Sequence, residues 1–135
     1  MQPETAVETR AWFQKATNDL RGADIDLAAV PPLVEDALFH CQQAAEKAMK
    51  GYLTAHERVF RKTHDLDELA RACETIDPTL KTMLHEARDL TLFAWEFRYP
   101  GDSHVPSQVE TVQILAWARQ VVTLPLDRLP AAIRP

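Results

Sequence analysis

Between its prolines the chain keeps one period: apolar residues return every three or four positions, and only 3 glycines occur in 135 residues. That spacing places side chains on one face of an α-helix, whereas a half-buried strand would alternate. The pattern is clearest in residues 32–55. There Val34, Ala37, Leu38, Cys41, Ala44, Ala45, Ala48, Met49, Tyr52 and Leu53 form one wide stripe, and Pro32 is tolerated in the first turn. So many alanines on the stripe require close approach of a neighbouring helix.

Other segments follow the same rule. Residues 5–26 carry Trp12, Ala16, Leu20 and Ala23 on one face, with Arg10, Gln14, Lys15, Asn18 and Arg21 on the other. A basic connection leads to Thr63-His64-Asp65-Leu66, where Asp65 can cap a third helix with Glu68 in capping-box register. That helix is short and amphipathic, through Leu66, Leu69, Ala70 and Cys73. Asp77-Pro78 opens a fourth, with Leu80, Met83, Leu84, Ala87, Leu90, Thr91 and Ala94 inward, which must stop near Phe97 because Pro100-Gly101 cannot continue it. Ser107 and Glu110 form a second capping box. The fifth helix then uses Val109, Val112, Leu115, Ala116 and Val122 and ends before Pro125, leaving 124–135 as a tail along the surface. The expectation is an all-α, antiparallel bundle of about five helices, one domain over 1–135 with its core in about 5–123.

The totals remove several function classes. A net charge of −5 and a pI near 5.5 argue against coating nucleic acid by bulk charge, since that affinity comes from neutralising many phosphates. Cys41 and Cys73 have no metal-type spacing and sit on apolar faces, as small buried hydrophobes do. No phosphate loop, dinucleotide fingerprint, paired metal-type histidines or nucleophile elbow is present, so neither metal nor cofactor is expected. Met1-Gln2-Pro3-Glu4 does not open a basic-then-apolar leader, and no stretch approaches the ~18 apolar residues of a membrane span. A cytoplasmic protein is expected.

Two places can carry chemistry. Arg98-Tyr99-Pro100-Gly101-Asp102-Ser103-His104 falls where the fourth helix breaks. Arginine offers a planar donor fork for phosphate oxygens, and histidine can move a proton at neutral pH. Together they suit RNA cleavage by its own 2′-hydroxyl; the plainer alternative is an Arg98–carboxylate pair and a solvated His104. Cleavage wants an acid and a base, and this segment holds one histidine, so a catalytic role predicts a two-fold dimer that brings two copies together. The second place is His56, Arg58, Arg61, Lys62 and His64, a basic run suited to phosphate contact or simply to the negative end of the second helix. His40 reads as a histidine satisfied by a hydrogen bond. Glu46, Lys47 and Lys50 read as a solvated face with one pair, Glu46 to Lys50. Trp12, Trp95 and Trp117 read as core or interface anchors.

These residues resemble a known family. Ala11-Trp12-Phe13 with Ala16, Asp19-Leu20 and Ala23 is similar to the opening helix of HEPN domains. Phe39-His40-Cys41-Gln42-Gln43-Ala44-Ala45-Glu46-Lys47-Ala48-Met49-Lys50-Gly51-Tyr52-Leu53 is similar to the family's most recognisable helix. Thr63-His64-Asp65-Leu66 and Arg98-Tyr99-Pro100 follow in the family's order, so the likeness covers residues 8–123. It implies a helical bundle, commonly a homodimer, often made beside a minimal nucleotidyltransferase partner in bacterial or archaeal toxin–antitoxin pairs. Many members are metal-independent ribonucleases with an arginine, four to six residues, then a histidine, and Arg98 and His104 have five between them. Some members carry a modifiable tyrosine two residues after that histidine; Pro106 stands there, so that regulation is not implied. Three functions follow: an RNA-cleaving dimer using Arg98 and His104, with Arg58, Arg61, Lys62 and His64 on nucleic acid; a non-catalytic module binding a nucleotide or a nucleotidyltransferase; and a structural oligomer.

Overall fold

The computed structural model describes residues 1–86 and 106–135. Five α-helices lie in that range: α1 (Pro3–Ala28), α2 (Val34–Ala55), α3 (Leu66–Ile76), α4 (Lys81–Glu86) and α5 (Gln108–Asp127). Single 3₁₀ turns precede α4 at Pro78–Leu80 and end the chain at Ala131–Ile133. Among the described residues there is no strand, so the fold is the expected all-α bundle.

α2 is the centre of it. Ala37, Leu38, Cys41, Ala44, Ala45, Ala48, Met49, Tyr52 and Leu53 are all buried, and so are Gln42, Glu46 and Lys50 between them. A helix covered on most sides needs neighbours on most sides, and α1, α3 and α5 supply them. α1 runs antiparallel to α2. Its early residues Trp12 and Phe13 meet Gly51 near the end of α2, while its late Asp19 and Asp26 meet His40 near the start. Gly51 permits the closest approach: a Cβ there would lie 2.9 Å from Phe13 Cε2 and 3.0 Å from Trp12 Cβ. Phe13, wholly buried, is the core aromatic of α1, and Trp12 beside it is half-buried.

The caps agree with the sequence. Asp65 accepts from the backbone N–H groups of Asp67 at 3.0 Å and Glu68 at 3.4 Å, and Asp77 accepts from Thr79 at 3.0 Å. Ser107 and Glu110 exchange two 3.1 Å bonds as a full capping box. Glu68 does not complete the box at α3, because its carboxylate is taken by Arg61.

Four expectations change. α2 begins at Val34 and not at Pro32, with Leu33 as its N-cap. α5 continues through Pro125 to Asp127; the missing N–H costs one bond in the last turn, and the buried ring packs into the core. Val109 and Val112 face outward, 70% and 50% exposed, since the buried face of α5 runs through Thr111, Leu115, Ala118, Val121, Val122 and Pro125. The tail is also more than a surface strip. Leu129 and Ile133 join the core, and Arg10 of α1 donates to the carbonyl of Ala132 at 2.8 and 3.2 Å. The inward residues expected from Ala87 to Ala94 and the break after Phe97 lie outside the described residues.

Candidate functional site

Gln42, Glu46 and Lys50 stand four apart, so they stack in one row along α2. The Glu46 side chain is only 4% exposed. Burying a carboxylate is costly unless several donors replace its water. Three do: Lys50 Nζ at 3.2 Å, Gln42 Nε2 at 3.2 Å and His64 Nδ1 at 2.9 Å. Gln43 Nε2 donates to Gln42 Oε1 at 2.7 Å, which fixes the amide orientation. Lys50, itself nearly buried, lies 5.7 Å from the centroid of the Trp12 ring, whose face attracts a cation. Phe60 meets Trp12 edge-on at 6.3 Å.

These residues are brought together by the α2–α3 corner. Glu57 adopts φ 56°, the left-handed conformation that reverses a chain after a helix. Arg58 N–H then reaches back to the carbonyl of Leu53 at 2.9 Å. The chain runs outward through the fully exposed Val59 and returns to the cap of α3, setting His64 beside Glu46. His64 is 73% exposed although its Nδ1 is anchored to a buried group. A carboxylate paired with an ammonium only accepts, so Nδ1–H donates and Nε2 turns its lone pair outward. Among the described residues Nε2 has no hydrogen-bond partner.

The basic residues of the corner divide by environment. Arg58 and Lys62 are exposed and have no carboxylate partner among the described residues. Arg61 is exposed too, but its Nε donates to both oxygens of Glu68 at 2.7 and 3.1 Å. That bond raises the pKa of the guanidinium and lowers that of Glu68. His56 packs on the Tyr52 ring at 4.7 Å, and burial, then the charge of Arg58, push its pKa down. His56 therefore adds little positive charge at neutral pH.

A second polar group locks α1 to α2 farther along. Asp19 accepts from His40 Nδ1 at 2.9 Å and from Lys47 Nζ at 2.5 Å. His40 Nε2 lies 3.7 Å from Asp26, and the ring packs against Gly22, where a Cβ would meet it at 3.0 Å. Burial raises the pKa of Asp26, opposed by His40. His40 is thus hydrogen-bonded, as its sequence context suggests. Lys47 belongs to this lock, so the row Glu46, Lys47 and Lys50 is not a solvated face. Its polar spacing is what a solvated row would show; Trp12 and Asp19 of α1 and His64 of the returning loop meet it in the fold.

The structure brings His64 together with Glu46 and leaves Arg58 and Lys62 exposed on the same connection. Arg98 and His104 lie outside the described residues, as does Trp95. Cys41 and Cys73 are buried, and burial pushes both thiols up to about 12. Among the described residues, no cluster of three or more histidines, cysteines or carboxylates could hold a metal ion, and no helix is long and apolar enough to cross a membrane.

Comparison with curated proteins and with solved structures found no match. Comparison with protein families did: residues 9–129 match the HEPN domain. That stretch begins in the first half of α1, takes in the Glu46–His64 corner and the Arg98–His104 segment, and runs to Leu129 in the core, so this chain belongs to the HEPN domain family.

Proposed function

We propose that this HEPN domain is a metal-independent endoribonuclease that works as a homodimer, toxin-like in kind, with Arg98 stabilising the phosphate and His104 transferring a proton. The observation that carries the reading is the pair itself: an arginine and a histidine with five residues between them, inside the stretch that matches the family. Arginine suits the charge that builds on the phosphorane, and a histidine is the side chain best able to exchange a proton near pH 7. Arg58 and Lys62, exposed on the α2–α3 connection, and His64 beside them supply phosphate contacts that a net acidic chain would otherwise lack. Arg61 joins them only by leaving Glu68.

The test is cleavage of a labelled single-stranded oligoribonucleotide in EDTA by a purified chain. Arg98→Ala and His104→Ala each abolish cleavage in this reading. Mixing the two variants restores part of it if each site draws on both protomers. Unchanged cleavage by His104→Ala removes that residue from the reaction. A second reading is favoured by the corner alone, since Arg58, Lys62 and His64 can hold a nucleotide phosphate without any chemistry. In that case the domain is a binding module for a nucleotide or a nucleotidyltransferase partner. It binds without cleaving.

A further inference from the structure

The two most exposed large apolar side chains among the described residues lie at opposite ends of α2. Val30, 98% exposed, stands in the turn between α1 and α2, and Val59, 102% exposed, stands in the connection that follows α2. The 22 residues of the helix set these ends about 33 Å apart. Each valine is held at its own end. Leu33 N–H donates to the carbonyl of Asp26 at 2.9 Å and fixes the first turn, and Arg58 N–H donates to the carbonyl of Leu53 at 2.9 Å and fixes the second. No contact within one chain joins them.

Their surroundings are complementary. Next to Val30, a cleft of about 320 Å³ is lined by Pro32, Leu33, Val34, Glu35 and Asp36. A void of about 150 Å³ already holds a benzene-sized group, so an aliphatic side chain fits. Leu33 is 48% exposed there, and Phe39, one turn past Glu35 and Asp36 on the same face, is 41% exposed. This end is acidic. Between Arg21 and Lys47 the chain has no lysine or arginine but has Asp24, Asp26, Glu35, Asp36 and Glu46. Arg119 pairs with Asp24, His40 approaches Asp26 and Lys50 holds Glu46, whereas Glu35 and Asp36 have no cationic partner among the described residues. Carboxylates suit the first turn of any helix, but that does not account for the exposed apolar residues among them. At the other end Val59 stands between Arg58 and Lys62, both exposed without carboxylate partners among the described residues.

We propose that these two ends bind each other between copies of the chain. The α2–α3 connection of one copy docks in the cleft of the next, with Val59 against Pro32 and Leu33 and with Arg58 and Lys62 on Glu35 and Asp36. The two surfaces differ and lie at opposite ends of α2, so the contact is head-to-tail. Each added copy presents a new cleft and a new connection, and growth continues with concentration. This contact is separate from the two-fold dimer proposed above and does not rest on the ribonuclease reading. Where both hold, RNA and the neighbouring copy compete for Arg58 and Lys62.

The experiment is sedimentation velocity of the purified chain over a concentration series. In about 0.1 M NaCl the weight-average sedimentation coefficient of wild type keeps rising with concentration. In about 1 M NaCl, where charges are screened beyond about 3 Å, it rises much less. Glu35→Lys/Asp36→Lys and Arg58→Glu/Lys62→Glu each weaken association at least about 10-fold, because each sets like charges face to face. The chain that carries all four substitutions associates again, which neither misfolding nor a change in net charge would produce. Val59→Ser, at a fully exposed position that folding does not use, weakens association with every charge in place. A coefficient that does not change with concentration, or a rise that stops at a closed dimer, overturns the proposal. So does association that survives either pair of reversals, or that the fourfold variant does not regain.

Discussion

Glu46→Leu tests the energetics of the buried row. The substitution removes the partner of Lys50, whose side chain is 9% exposed, and of His64, whose side chain is 73% exposed. His64 turns to water at little cost. Lys50 keeps only the face of Trp12, 5.7 Å away, a contact worth about 0.5–2 kcal/mol. Removing one member of a buried pair typically costs about 3–5 kcal/mol, so the cation–π contact leaves a net loss of about 1–4.5 kcal/mol. In a domain of this length that lowers Tm by roughly 5–15 °C. Glu46→Leu/Lys50→Met removes both charges with apolar groups of similar length and recovers most of the loss. Urea unfolding followed by circular dichroism measures all three chains, with a constant m-value showing that the folded states are comparable. A loss below about 0.5 kcal/mol for Glu46→Leu, the range of an ordinary surface change, refutes the premise that this pair is shielded from solvent.

Gly51→Ala loses about 1–2 kcal/mol in the same assay, because crowding against Phe13 and Trp12 outweighs the ~1 kcal/mol gain in helix propensity; a stabilised variant contradicts the α1–α2 approach. Cys41 and Cys73, buried with thiols pushed up to about 12, resist iodoacetamide at pH 8 in the native chain and react in urea; rapid native alkylation contradicts their burial. Asp77 is held below its ordinary value of 3.8, first by the Thr79 hydroxyl, then by the Thr79 N–H, with Arg128 adding to it. A depressed carboxylate contributes stability above its unfolded value, and this is lost as pH falls through the folded one. Asp77→Asn is therefore less stable than wild type at pH 7, with the gap closing below about pH 4; a pH-independent gap contradicts this.

What was legible in the sequence was local. Ser107 and Glu110 are three residues apart and close their box whatever packs nearby, and α2 announces itself by ten apolar residues at helical spacing. The fate of polar residues was not local. Glu46 and Lys50 have the spacing of a solvated pair, and their burial depends on Trp12 from α1 and on His64 from a loop 18 residues after Glu46. A similar limit hid the role of Lys47, which reaches back 28 residues to Asp19. Val109 and Val112 show the converse error: their apolar type signals a core, but α5 turns Thr111 and Leu115 inward. The family likeness was legible because it resides in residue order, and Thr63-His64-Asp65-Leu66 is part of that order. That His64 is anchored by Glu46 depends on how the connection folds back onto α2.

The central claim is that this HEPN domain cleaves RNA through Arg98 and His104. Its most direct measurement is the initial rate of cleavage of single-stranded RNA in EDTA, wild type against His104→Ala, with the product ends identified. The expected result is wild-type cleavage that leaves 2′,3′-cyclic phosphate ends, and a loss of at least about 100-fold in His104→Ala. Equal rates for the two chains, or no cleavage by wild type, would contradict it.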